Sequence, residues 1–175
     1  MHQFSELIDG CAAFTLATIC ERRDRVIEAL KTSASTGLVK SLQTFQLTKV
    51  VLAVGMFSIF EALLQDRLAC DDGFAAARDC LKAEGESDLG KRFSQYASAI
   101  NVLKHGRGRS YDALLAEIDA LPFRLKRPNE PFFFEGDVSE VSTLIEVDNK
   151  FVSACADVIR DVARVIGKNR PEVFL

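Results

Sequence analysis

"VVLAVGMFSIFEALLQDRL", residues 50–68, decides the fold. Val50, Val54, Phe57, Glu61, Leu64 and Leu68 recur at alternating helical steps and form one stripe of an α-helix. Val51, Met56, Phe60 and Leu63 widen the apolar surface around that stripe. A helix apolar on more than one side belongs at the centre of a helical bundle. The pattern predicts a helix from about Leu38 to Cys70. It also places Glu61 inside an apolar stripe, where an unpaired carboxylate is costly. The expectation is therefore a mostly buried Glu61, hydrogen-bonded to a polar group of the helix over about Asp88–His105. The most apolar run, residues 50–60 between Lys49 and Glu61, is much shorter than the roughly 20 residues of a membrane span.

Upstream, Phe4, Leu7, Ile8, Cys11 and Phe14 share one helical face of a segment from about Ser5 to Lys31. "TSASTG" at 32–37 ends it, with Gly37 as the terminating residue. Downstream, a short helix over Phe74–Lys82 is followed by a turn, "AEGESDLG", in which Ser87 or Asp88 caps the next helix. That helix runs to His105 on the apolar stripe Leu89, Phe93, Tyr96, Ile100 and Leu103, and Gly106 and Gly108 end it. Ser110 caps a shorter helix, "YDALLAEIDAL". Residues 122–142 hold three of the four prolines and read as a long loop, whose "PFFF" must pack on the bundle or on a partner. A last helix over Asp148–Ile166 turns Phe151, Val152, Cys155, Val158, Ile159, Val162 and Val165 inward. The chain thus reads as a single domain over residues 1–175: all-α, an antiparallel bundle of five to six helices with a long loop before the last.

Composition narrows the function classes. The formal net charge of −3 gives no global affinity for polyanions, so any nucleic-acid site has to be a local basic patch. Cys11, Cys20, Cys70, Cys80 and Cys155 form no C-x-x-C pair, and their odd number fits small thiols in a reducing compartment better than a disulfide framework. With His2 and His105 as the sole imidazoles, neither a zinc centre nor any other cofactor is expected. The opening "MHQFSELIDG" lacks the basic-then-apolar order of a signal peptide, and a cytoplasmic protein without a membrane role is the expectation.

The stretch that looks built for chemistry is "SAINVLKHGRGRSY", residues 98–111. At about 100° per residue, Ser94, Ser98, Asn101 and His105 lie within about 60° of one another, on a polar face distinct from the Leu89–Leu103 stripe. His105 falls in the last turn of that helix. Lys104, Arg107 and Arg109 add positive charge, and two glycines leave backbone N–H groups open to a phosphate. The same residues also fit an ordinary capped helix end followed by a solvated turn. Glu61 likewise fits a structural carboxylate satisfied by a hydroxyl or a lysine.

"NVLKHGRG", together with "FSIFEALLQDRL" on the preceding long helix, resembles the higher-eukaryote and prokaryote nucleotide-binding (HEPN) superfamily. The resemblance spans about Val39 to Arg109 in the order and type of helices. It implies a helical bundle, often dimeric, and in many members a metal-independent endoribonuclease. By that resemblance Asn101 and His105 match the motif's asparagine and histidine, and Glu61 stands at the acidic position. The motif's arginine is missing: its place falls on Ser98, Ala99 or Ile100. The resemblance thus implies an RNA-binding or slowly cleaving protein, with Lys104, Arg107 and Arg109 on phosphate and Asn101, His105 and Glu61 in the catalytic set. It further implies a toxin–antitoxin or defence setting, with a homodimer and a cognate nucleotidyltransferase or antitoxin protein as partners. The missing arginine favours an inactive interaction module, and the acidic total charge leaves a plain helical scaffold open.

Overall fold

The structure is a computed structural model that describes residues 4–169. Its axis is α2, Thr36–Leu68, which packs against α1 (Phe4–Leu30), α3 (Gly73–Ala83), α4 (Ser87–His105) and α6 (Asn149–Asn169). α5 (Arg109–Ala116) and a 3₁₀ turn (Ile118–Ala120) close the side of α4. The fold is an all-α bundle, as the apolar periodicity requires. Ala53, Met56, Phe57, Phe60 and Leu64 of α2 are buried at its centre. Phe57, Phe60 and Phe74 surround Phe93 of α4, with ring centroids 5.3–6.5 Å away. All seven residues expected to face inward on α6 are buried.

Long-range pairs fix the helix directions. Asp9 of α1 meets Arg160 of α6 at 3.0 Å, and Cys20 meets Asn149, so these two helices run antiparallel. Arg92 of α4 meets Asp161 while Tyr96 packs on Phe151, so α4 also runs against α6. Gly73 opens α3 against α2 at very close range: a Cβ there would lie 2.7 Å from the Glu61 carbonyl oxygen. Glycine is needed at that crossing.

Several local expectations are corrected. Gly37 lies in the first turn of α2 rather than ending α1, because the Ser35 hydroxyl accepts its N–H and starts the new helix. Neither Ser87 nor Asp88 caps α4, and Ser110 does not cap α5: the cap positions are Glu86 and Gly108, without a side-chain cap. On α1 the buried residues are Ser5, Ile8, Ala12 and Ile19, whereas Leu7, Cys11 and Phe14 of the expected stripe are exposed. The two sets lie about 100° apart around the helix, and the bundle covers only one of them. Taken whole, α2 is long and apolar enough to cross a membrane by length and composition, unlike its central run alone; here it is the axis of the bundle.

Residues 121–148, expected as a long loop packed through its "PFFF", form a strap. Lys126 N–H donates to the Leu144 carbonyl (2.9 Å) and Glu146 N–H to that of Arg124 (3.0 Å), making a single antiparallel bridge at Leu125 and Ile145. The buried Lys126 ammonium donates to Glu140 and to the Pro131 carbonyl. The other Glu140 oxygen accepts the Phe133 and Phe134 N–H groups. Of the "PFFF" rings, Phe133 is buried under Lys126, while Phe132 and Phe134 remain exposed. Burial alone would raise the Glu140 carboxyl, but the Lys126 hydrogen bond and the two backbone N–H groups outweigh it and hold the pKa below the ordinary carboxylate value.

Candidate nucleic-acid interface at the end of α4

The polar face of α4 exists as the sequence implies. Ser94, Ser98 and Asn101 are half-buried and His105 is exposed, while Phe93, Tyr96, Ala97 and Ile100 on the other side are buried. α4 ends where the Gly106 N–H returns to the Val102 carbonyl at 2.8 Å, with Gly106 at φ 75°, a conformation that suits glycine. Lys104, His105, Arg107 and Arg109 all stay exposed around this turn.

The four are not equivalent. Arg107 is anchored: it donates to the Pro128 carbonyl at 3.0 Å, and its guanidinium lies 5.8 Å from the Tyr111 ring centroid. Tyr111 in turn donates its hydroxyl to the Lys126 carbonyl at 2.8 Å, so Arg107 and Tyr111 tie the end of α4 to the strap. Lys104, His105 and Arg109 have no side-chain partner among the described residues. They are the groups left free for an anion.

Glu61 lies elsewhere. Its neighbour Phe60 packs on Phe93, and His105 is twelve residues further along α4, about 18 Å by helical rise. Glu61 is half-buried, and among the described residues nothing hydrogen-bonds its carboxylate. The expected bond to α4 is not made. The structure brings Asn101, His105, Lys104, Arg107 and Arg109 together and leaves Glu61 out.

The places for the motif arginine also differ. Ile100 is 2% exposed and Ala99 is fully buried, so a guanidinium at either would be enclosed in the core. Ser98 alone shares the half-open face of Asn101 and His105.

Beside this edge lies a cleft of about 790 Å³ between α4, the strap and the start of α6. Tyr96, Phe123 and Phe151 line it as a ring cluster with centroids 5.2–5.4 Å apart. Arg92, Arg124, Arg127 and Lys150 share its walls with Glu130, Glu146 and Asp148. Burial drives the Tyr96 hydroxyl up to about 12. Burial first, then the Asp148 charge, raises the Glu146 carboxyl. Arg127, next to Pro128 in the chain, lies on the cleft wall with its guanidinium 3.6 Å from Asp119. Sequence reasoning missed it, since Arg127 sits in a stretch read as a loop with no fixed place. It also missed Lys49, buried in mid-α2, whose ammonium is pulled below its ordinary pKa by burial and partly restored by Asp148. Lys49 served only to bound an apolar run; its contact with residues a hundred positions away left no local signal.

Comparison of this chain with protein-family models, curated proteins and solved structures finds no match.

Proposed function

We propose that this protein binds single-stranded RNA through its phosphates at the C-terminal end of α4 and cleaves it weakly or not at all. The observation that carries the reading is the exposed Lys104 and Arg109, without side-chain partners among the described residues, beside an Arg107 held in place by Pro128 and Tyr111. Fixed and free cations around an open glycine turn suit phosphate contacts, which position a strand without reading its sequence. RNA cleavage needs a proton-transfer group and a cation at the same phosphate. Glu61 sits near Phe93, about 18 Å of helical rise from His105, and Ile100 and Ala99, two of the three places for the motif arginine, lie inside the core, which supports weak or absent cleavage. The reading agrees with the HEPN resemblance and with its missing arginine, and it implies a cytoplasmic setting with reduced thiols.

Fluorescence anisotropy of labelled single-stranded RNA across a salt series tests it. Affinity should fall steeply with salt, and Lys104→Ala and Arg109→Ala should each lower the log–log slope by about one. His105→Ala should leave binding intact. Ser98→Arg, which sets a guanidinium on the His105 face, should raise whatever chelator-resistant cleavage the wild type has. Absence of binding at low salt would end the nucleic-acid reading. An inactive module serving a cognate nucleotidyltransferase or antitoxin protein would then take its place, a reading favoured by the open apolar face of α1 and α2.

A further inference from the structure

The cleft between α4, the strap and the start of α6 holds a donor that the fold does not use. Tyr96 is 2% exposed and its ring packs on Phe123 and Phe151, yet among the described residues its hydroxyl has no hydrogen-bond partner. No fully enclosed side-chain nitrogen or oxygen of the described residues lacks one. The hydroxyl is therefore reached from the space that Tyr96 lines, which is this cleft. Burial raises its pKa to about 12, so it stays a neutral O–H able to donate. Tyr111 shows the structural alternative: it is equally buried, and its hydroxyl is used up on the Lys126 carbonyl.

The charges on the walls divide in the same way. Arg92 is taken by Asp161, and Arg127 lies 3.6 Å from Asp119. Asp148 accepts the Phe151 N–H, and Glu130 accepts that of Arg127. Lys150 has no partner among the described residues. The Arg124 guanidinium lies over the Phe133 and Phe134 rings and forms no ion pair with a described carboxylate. Against these two cations stands one wall carboxylate without a hydrogen bond, Glu146. The unused groups are thus a hydroxyl donor and an excess of positive charge. Beside them Ile118, Leu121, Phe123 and Ala154 present a half-buried apolar wall.

We propose that this cleft binds a small aromatic carboxylate, with the Tyr96 hydroxyl, Lys150 and Arg124 addressing the carboxylate and the apolar wall around Phe123 covering the ring. Its volume, about 790 Å³, lies in the range of small-molecule sites, which combine an apolar lining with a few convergent polar groups. Hydrogen bonds from a hydroxyl, an ammonium and a guanidinium to a carboxylate are charge-assisted, the stronger kind. With Glu146 beside two idle cations, a single negative charge fits better than the two of a phosphate ester. An organic cation would need idle carboxylates, and of the three on these walls only Glu146 is one. The inference does not rest on RNA binding, because Lys104, His105 and Arg109 do not line the cleft.

Calorimetric titration of the full chain with 2-naphthoate tests it. One saturable site is expected, with neutral 2-naphthamide and cationic 2-naphthylmethylamine each weaker by about tenfold or more. Tyr96→Phe should lose roughly tenfold in affinity at an unchanged melting temperature, since the hydroxyl it removes has no partner in the protein. A hydroxyl with a structural role would lower the melting temperature instead. Lys150→Ala should weaken binding to a similar degree, and Glu146→Gln should tighten it severalfold by removing a like charge. Saturating single-stranded RNA should leave the 2-naphthoate affinity unchanged, whether or not RNA binds at the end of α4. Absence of saturable binding overturns the inference, as does wild-type affinity in both Tyr96→Phe and Lys150→Ala. A preference for the amine would overturn it in favour of an organic cation at Glu146, and displacement by RNA would overturn it by giving the cleft to the RNA.

Discussion

α6 and α1 are both long amphipathic helices, and they lie against each other, yet they relate to their sequences in opposite ways. On α6 each apolar residue of the periodic stripe is covered, from Phe151 through Val165. On α1 the stripe splits: Ile8 goes inward, while Leu7, Cys11 and Phe14 stay outside. The difference is one of pattern width. α6 has a narrow apolar face opposite a charged one, so only one orientation hides its apolar surface. α1 is apolar or small around most of its first half, and its neighbours choose which side is covered. Where an apolar pattern is broader than a single face, the excess marks a surface still to be matched by a partner.

Four substitutions sharpen that contrast. Ile159→Ala, in the fully covered face of α6, should destabilise the protein by about 4 kcal/mol, since a large-to-small change in a close-packed core leaves a cavity. Chemical denaturation with an unchanged m-value is the check. Glu140→Ala should cost about 3 kcal/mol by leaving the Lys126 ammonium buried without its carboxylate, loosening the strap that brings Phe123 onto Phe151 of α6. This contribution has a defined pH sign. The folded-state pKa of Glu140 lies below its unfolded value, so the stabilisation is present above the unfolded pKa and is lost as pH falls through the folded one. Acid titration should therefore destabilise wild type more than Glu140→Gln, and equal acid sensitivity of the two would refute the role.

Arg160→Ala removes the tie between α6 and Asp9 of α1, both partners being partly solvated. Less than about 1 kcal/mol is expected there, with the loss shrinking in high salt. Phe14→Ser is the smallest, within about 0.5 kcal/mol for the isolated monomer, because the residue is mostly exposed. A thermal shift as large as that of Ile159→Ala would mean that Phe14 is already covered, and would break the comparison.

The candidate site shows the same division between local pattern and assembly. The polar face of α4, its end at Gly106 and the clustering of Lys104, His105, Arg107 and Arg109 were legible, because all of them depend on helix periodicity and adjacency in the chain. The grouping of Glu61 with His105 was not. It depended on the register of α2 against α4, which Phe57 and Phe60 set by packing on Phe93. The strap was read as a long loop with its apolar tip packed on the bundle or on a partner; how it is held was not legible, because Lys126 and Glu140 carry no periodic signal and only the fold shows that they meet.

By itself the sequence determined the class, the helices to within a few residues, the inward face of α6 and the polar face of α4. Each follows from interactions three or four residues apart, which a linear pattern records directly. Only the tertiary structure decided which side of α1 and α2 is left bare, that Ile100 and Ala99 lie inside while Ser98 faces His105, and that Arg107 is tied to Pro128 and Tyr111. Those outcomes turn on which helix lands against which and at what register. That choice is made by the summed packing of distant residues, and no short window of the chain contains it.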